Sequence, residues 1–178
     1  MHDLLQEMIA FSTERALNEQ EQAHATESPE FKRWFGKSAV VDKAGNPLVV
    51  YHGTNHEGIT EFFGGWWTDT PAVTREFGNQ QYKAYLSIQN PIEDDAGMLA
   101  EKSPMHLEYE KFNGEEMDIE DIEADQNLID IVGSDGPFTR YLKDQGYDGM
   151  AVWDMSNAGG DSMVYLPFSS KQIKLLAN

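Results

Sequence analysis

The chain has 178 residues, 40% hydrophobic and 11% aromatic, enough for one domain with a real core and too many for a disordered segment. It has no cysteine, which excludes disulfides, thiolate metal sites and a cysteine nucleophile, and which fits a reducing cytoplasm. With 31 acidic against 13 basic residues the net charge is −18; such a surface repels nucleic-acid phosphates and anionic membranes, and serves either solubility or the attraction of a basic protein.

The first residues mix acids (Asp3, Glu7, Glu14) with apolar positions and have no cationic lead, so no secretory signal is expected. No apolar run is long enough to span a bilayer. Residues 1–26 read as a helix, because Leu4, Leu5, Met8, Ile9 and Leu17 recur at helical spacing. Its second half is polar and grades into a linker ending near residue 27. The apolar stripe packs either on its own domain or on a partner. Ser28-Pro29-Glu30 then starts a second helix: a capping hydroxyl, a proline in the first turn and an acid at the positive end of the dipole. Phe31, Trp34 and Phe35 share one face, and Gly36 ends the helix.

Two strands at 39–42 and 48–51 are expected next, joined as a hairpin by Ala44-Gly45-Asn46. Tyr51-His52-Gly53-Thr54 closes the second strand, where it should open into a loop. Thr70-Pro71 begins a short helix through about residue 78. Residues 82–89 alternate, with Tyr82, Ala84, Leu86 and Ile88 on one side, and Asn90-Pro91 halts that strand. Residues 93–133 are strongly acidic but keep recurring apolar positions (Ile119, Ile122, Leu128, Ile129, Ile131), which suggests an insertion containing an amphipathic helix. A helix at 138–145 stops at Gly146. A strand at 150–153, a mobile loop at 157–160 and strands at 163–168 and 173–176 complete the chain. Helices and strands do not alternate regularly, so the expected class is α+β with a mostly antiparallel sheet. The expected domains are residues 1–27 as helix and linker and residues 28–178 as one domain.

Several chemistries are missing: there is no dinucleotide-binding glycine fingerprint, no phosphate loop and no serine elbow. His52 and His56 are four apart, but nearby glycines oppose a helix and a third metal ligand is lacking, so no metal is expected. The acidic stretch also lacks the glycine turn of a calcium loop. What remains is a combination. His52 precedes Gly53 and Thr54, where a missing Cβ lets the backbone approach a ligand. Trp66 and Trp67 precede Thr74 and Phe77, and two rings with a hydroxyl at the rim make a slot for a flat, amide-bearing ring. The alternative is that His52 is a buried, hydrogen-bonded strand-end histidine and that the aromatics are ordinary core.

Ser28-Pro29-Glu30-Phe31-Lys32-Arg33-Trp34-Phe35-Gly36, Val40-Val41-Asp42 and Gly45-Asn46-Pro47-Leu48-Val49-Val50-Tyr51-His52-Gly53-Thr54 resemble the ADP-ribosyltransferase domain of phage polyvalent and mobile-element proteins. Trp67-Thr68-Asp69-Thr70-Pro71, Tyr85-Leu86-Ser87-Ile88-Gln89-Asn90-Pro91, Gly146-Tyr147-Asp148-Gly149 and Gln172-Ile173-Lys174 follow in the same order, so the likeness runs over residues 28–174. Its wider relatives are the diphtheria-toxin-like and poly(ADP-ribose) polymerase enzymes. The resemblance implies a split, mostly antiparallel sheet and NAD as donor of ADP-ribose. It also points to a mono-transfer reaction onto a protein, in the cytoplasm of a bacterial host if phage-encoded; the charge disfavours nucleic acid as acceptor, and no metal is expected. Tyr51, His52, Gly53, Thr54, Trp66, Trp67, Thr74 and Phe77 would bind NAD. Within that set His52 would hold the adenosine-side ribose, the Gly53 backbone and Thr74 would hold the carboxamide, and Trp66 and Phe77 would stack.

The family often carries a glutamate before the tyrosine of the late strand, and here Val164 stands there. Asp161 is the acid expected to replace it, with Asp154 another candidate. Gln172 reads as a hydrogen-bonding residue at a turn or strand end. The competing reading is an inactive acidic module, which would sequester a basic partner or mimic a nucleic acid.

Overall fold

The computed structural model describes residues 25–94, 103–114, 135–154 and 162–176. The chain divides into two compact units, Met1–Gly36 and Lys37–Asn178. In the first, helix α1 (Pro29–Phe35) has Ser28 as its cap: the Ser28 hydroxyl accepts the Phe31 N–H at 3.1 Å. Gly36 closes it, donating its N–H to the Lys32 carbonyl. Phe31 and Phe35, one turn apart, are buried and stack at 5.4 Å. The helix expected over residues 1–26 lies outside the described residues, apart from a helical turn at 25–27.

The second unit is α+β, with a seven-stranded mixed sheet in the order β4-β5-β6-β2-β1-β3-β7. The strands are β1 (Val50–Thr54), β2 (Trp67–Thr68), β3 (Gln80–Leu86), β4 (Pro91–Asp94), β5 (Gly149–Asp154), β6 (Ser162–Pro167) and β7 (Ile173–Leu175). β4 runs parallel to β5, and the other neighbours pair antiparallel. β2 has only two residues, yet among the described strands it alone joins β1-β3-β7 to β4-β5-β6.

Two cores result. Helices α2 (Pro104–Asn113) and α3 (Pro137–Asp144) supply Met105, Tyr109, Phe138 and Leu142 to one, with Ile92, Met150, Val152 and Leu166 from the sheet. The other gathers Val50, Phe62, Trp67, Tyr82, Ala84, Leu86, Ile88 and Tyr165. Successive strand residues face opposite ways, so Trp67 enters one core while Trp66 packs against the other.

Several expected elements differ. Residues 39–42 form no strand; only an isolated bridge joins Val41 to Pro47. Asp42 explains the tight turn between them. Its carboxylate accepts the Ala44 and Asn46 N–H groups at 2.8 and 2.9 Å, and these bonds hold its pKa below the usual carboxylate value. β1 starts later than expected and runs through Thr54, so His52 and Gly53 lie inside a strand. Asn90-Pro91 does not end pairing: Pro91 opens β4, whose parallel partner is distant in sequence. The expected acidic insertion therefore overlaps β4 and α2; its remaining residues, like the expected loop at 157–160, lie outside those described.

Three sequence blocks meet at one seam. The Asp148 carboxylate accepts the backbone N–H groups of Gln89 and Asn90 at 2.8 and 2.7 Å. The Gln172 side-chain amide donates to the carbonyls of Ser87 and Asp148 at 3.0 and 2.8 Å. These bonds clamp the short crossover by which the chain leaves β3 and enters β4.

Candidate active site

β1 lies between β2 and β3, and its side chains alternate between two surroundings. Val50 and His52 face the core that holds Trp67. The His52 ring meets Phe62 edge-on at 4.9 Å and Trp67 at 5.2 Å. Its Nδ1 lies 2.7 Å from the Trp66 carbonyl oxygen. A carbonyl only accepts, so Nδ1 carries the proton. Burial pushes the His52 pKa below its ordinary value and the Trp66 carbonyl opposes this in part, which leaves the ring neutral near pH 7. Nε2 then keeps a lone pair able to accept from a sugar hydroxyl.

Gly65 makes this geometry possible. At φ 91° it turns the chain so that the Trp66 carbonyl reaches the imidazole, and a Cβ there would stand 3.2 Å from His52 Cε1. The Tyr82 hydroxyl ties down the covering loop, accepting from Ile59 N–H at 3.0 Å and donating to the His56 carbonyl at 3.1 Å.

The opposite face of β1 is packed backbone to backbone. A Cβ on Gly53 would lie 2.0 Å from the Thr74 carbonyl oxygen, and one on Gly78 would lie 2.1 Å from the Thr54 carbonyl carbon. The 3₁₀ turn Val73–Glu76 is thus pressed onto β1 with no room for a methyl group. The Cβ-free side of Gly53 serves this packing and not ligand approach. What Gly53 offers a ligand is its edge: the β2 ladder reaches only Tyr51, so no described strand pairs with Gly53 on that side.

The other candidates fall into different surroundings. Thr74 is 2% exposed; its hydroxyl donates to the Pro71 carbonyl at 2.8 Å and accepts from Gln81 Nε2 at 2.7 Å. Phe77 is 59% exposed. Spacing had placed these two on one face, but the turn ends at Glu76 and Phe77 is its cap. Tyr51, Thr54 and Trp66 are half-buried. Trp67, expected among the ligand-binding residues, is wholly buried and packs against the His52 ring. Its indole Nε1 has no hydrogen-bond acceptor among the described residues.

Asp161 lies outside the described residues, as does the side chain of Asp154. Val164 is half-buried in β6, paired with Thr68 and Val152. Gln172, bound to two carbonyls at the seam, is structural. Burial, with Asp69 and Glu93 nearby, pushes the Tyr165 hydroxyl up to about 12, so it remains protonated.

A family model for the ADP-ribosyltransferase of polyvalent proteins matches residues 42–178. The chain belongs to this family. The match begins at Asp42, so the likeness of residues 28–36 lies outside it. No curated protein and no solved structure matches. The family's reaction uses NAD as substrate. Among the described residues no cluster of ligating side chains suits a metal, and no helix is long and apolar enough to cross a membrane.

Sequence reasoning missed Phe62, Gly65 and Gln81. Gln81 lies just before the alternating run read at 82–89, and its place opposite Gly53 emerges only from the pairing of β1 with β3. Phe62 and Gly65 sit in a loop where no periodicity marks which residue turns inward.

Proposed function

We propose that this domain is a mono-ADP-ribosyltransferase that moves ADP-ribose from NAD to a protein, basic partners being favoured by the −18 charge, and releases nicotinamide. The observation that carries the reading is the pairing of a neutral, carbonyl-oriented His52 with the unladdered edge of Gly53. A carboxamide has one acceptor and two donors and can dock on that edge as a strand would. His52 Nε2 accepts a hydroxyl of the adenosine-side ribose, Trp66 and Phe77 offer stacking faces, and Tyr51 and Thr54 flank the strand.

In the reaction the bond from C1′ to the nicotinamide nitrogen breaks and its electron pair leaves with nicotinamide. The acceptor's nucleophile bonds to C1′ and gives up a proton. Positive charge builds on the sugar as in glycoside cleavage. Asp161 is proposed as the carboxylate that steadies it, in place of the glutamate that Val164 displaces. A mobile-element origin would suit a host or competitor protein as target, in the cytoplasm.

The test is incubation with labelled NAD and bacterial lysate. Label in protein and free nicotinamide are expected, with His52→Ala reducing both at least a hundredfold and Asp161→Ala at least tenfold. If folded protein yields neither product, the reading fails. The Val164 position favours a second reading, an inactive acidic binder; silence toward NAD with tight capture of one basic protein would select it.

A further inference from the structure

The Pro71 carbonyl is served twice. The Thr74 hydroxyl donates to it at 2.8 Å and Gln81 Nε2 donates to it at 3.0 Å. The same Gln81 nitrogen also donates to Thr74 Oγ1 at 2.7 Å. The amide orientation follows from chemistry: facing a carbonyl oxygen, only the NH₂ end of Gln81 is tolerated. Gln81 is held in turn by its register opposite Gly53, on the strand that carries the candidate site.

A threonine hydroxyl has one proton. As it stands, that proton is committed to Pro71, and the hydroxyl cannot donate to a ligand. Were Thr74 the sole donor to Pro71, turning the proton away would leave that carbonyl without a protein donor. With Gln81 in place, Pro71 keeps a donor and the proton is free to rotate. We propose that Gln81 is a positioning residue that makes the Thr74 hydroxyl a switchable donor for the carboxamide oxygen of the nicotinamide ring. Gln81 acts through Thr74 and does not touch the substrate. Gly53 and Gly78 prevent the turn from shifting to solve the problem in another way, because its backbone already rests on β1. This inference rests on the NAD reading above.

The experiment measures calorimetric affinity of the full chain for nicotinamide and, separately, for ADP-ribose, which lacks the carboxamide. The proteins are the wild type, Gln81→Met and Gln81→Glu. Gln81→Met removes the second donor at similar length; Gln81→Glu replaces it with an acceptor that captures the Thr74 proton. Both variants should weaken nicotinamide binding at least tenfold and leave ADP-ribose affinity within twofold. A turn that had merely shifted would weaken both ligands. Equal loss for both ligands, or no loss for nicotinamide, overturns the role of Gln81 while leaving the transferase reading intact. A wild-type protein that binds neither ligand overturns the transferase reading, and the proposal with it.

Discussion

The two halves of the sheet are stabilised in different ways. β4-β5-β6 is covered by α2 and α3, and its core is side-chain packing among Met105, Tyr109, Phe138, Leu142 and Met150. β1-β3-β7 is covered near β1 by a loop and a 3₁₀ turn, held through backbone contact at Gly53 and Gly78 and through pairs of hydrogen bonds at Tyr82 and Gln81. Side-chain packing tolerates small volume changes by repacking; backbone contact tolerates none. The candidate site belongs to the second kind of structure, which suits a surface whose groups must stay within a fraction of an ångström.

Mutations can separate the halves. Leu142→Ala, in the helical core and fully buried, should cost about 2–5 kcal/mol in chemical denaturation and leave NAD affinity unchanged in the folded fraction. If affinity falls as well, the halves are not energetically separate. Gly53→Ala should cost a comparable amount, about 3 kcal/mol or more, and also remove nicotinamide binding, since the turn must lift from β1. Tyr82→Phe leaves Ile59 N–H without its acceptor, which should cost about 1 kcal/mol and speed amide exchange at Ile59 while exchange in α3 stays unchanged.

The smallest effect is electrostatic. The His52 pKa is lowered in the fold, so below its ordinary value the unfolded chain binds the proton more readily. Its stabilising contribution is complete above about pH 6.5 and falls as pH drops toward the folded value. An NMR titration of His52 should show a midpoint below 6.5, and His52→Phe should remove that part of the pH dependence. A midpoint above 6.5 would mean that the Trp66 carbonyl outweighs burial.

Much of this architecture was legible in the sequence. The cap of α1, the alternation of β3 and the stop of α3 follow from local chemistry at Ser28, at Tyr82, Ala84 and Leu86, and at Gly146. β4 was hidden because a parallel pairing has no local signature and Pro91 reads as a breaker, yet proline can open a strand. At the site, His52 and its neighbours stood out by composition. The division between Trp66 and Trp67 did not, because a two-residue strand gives no periodicity to read. The blocks around Gln89 and Asp148 carried the family likeness and Gln172 read as a hydrogen-bonding residue at a turn or strand end; the three meet in the seam clamp.

β4 and β5 lie side by side and point the same way, so the chain between them must leave the sheet and come back to where it left. Such an excursion has fixed ends, and its helices α2 and α3 pack back onto β4 and β5. Much of the protein's acidity lies on it. Changes of length or charge between those two helices would leave the pairing of β1 with β2 and β3, and with it the setting of His52, as it is.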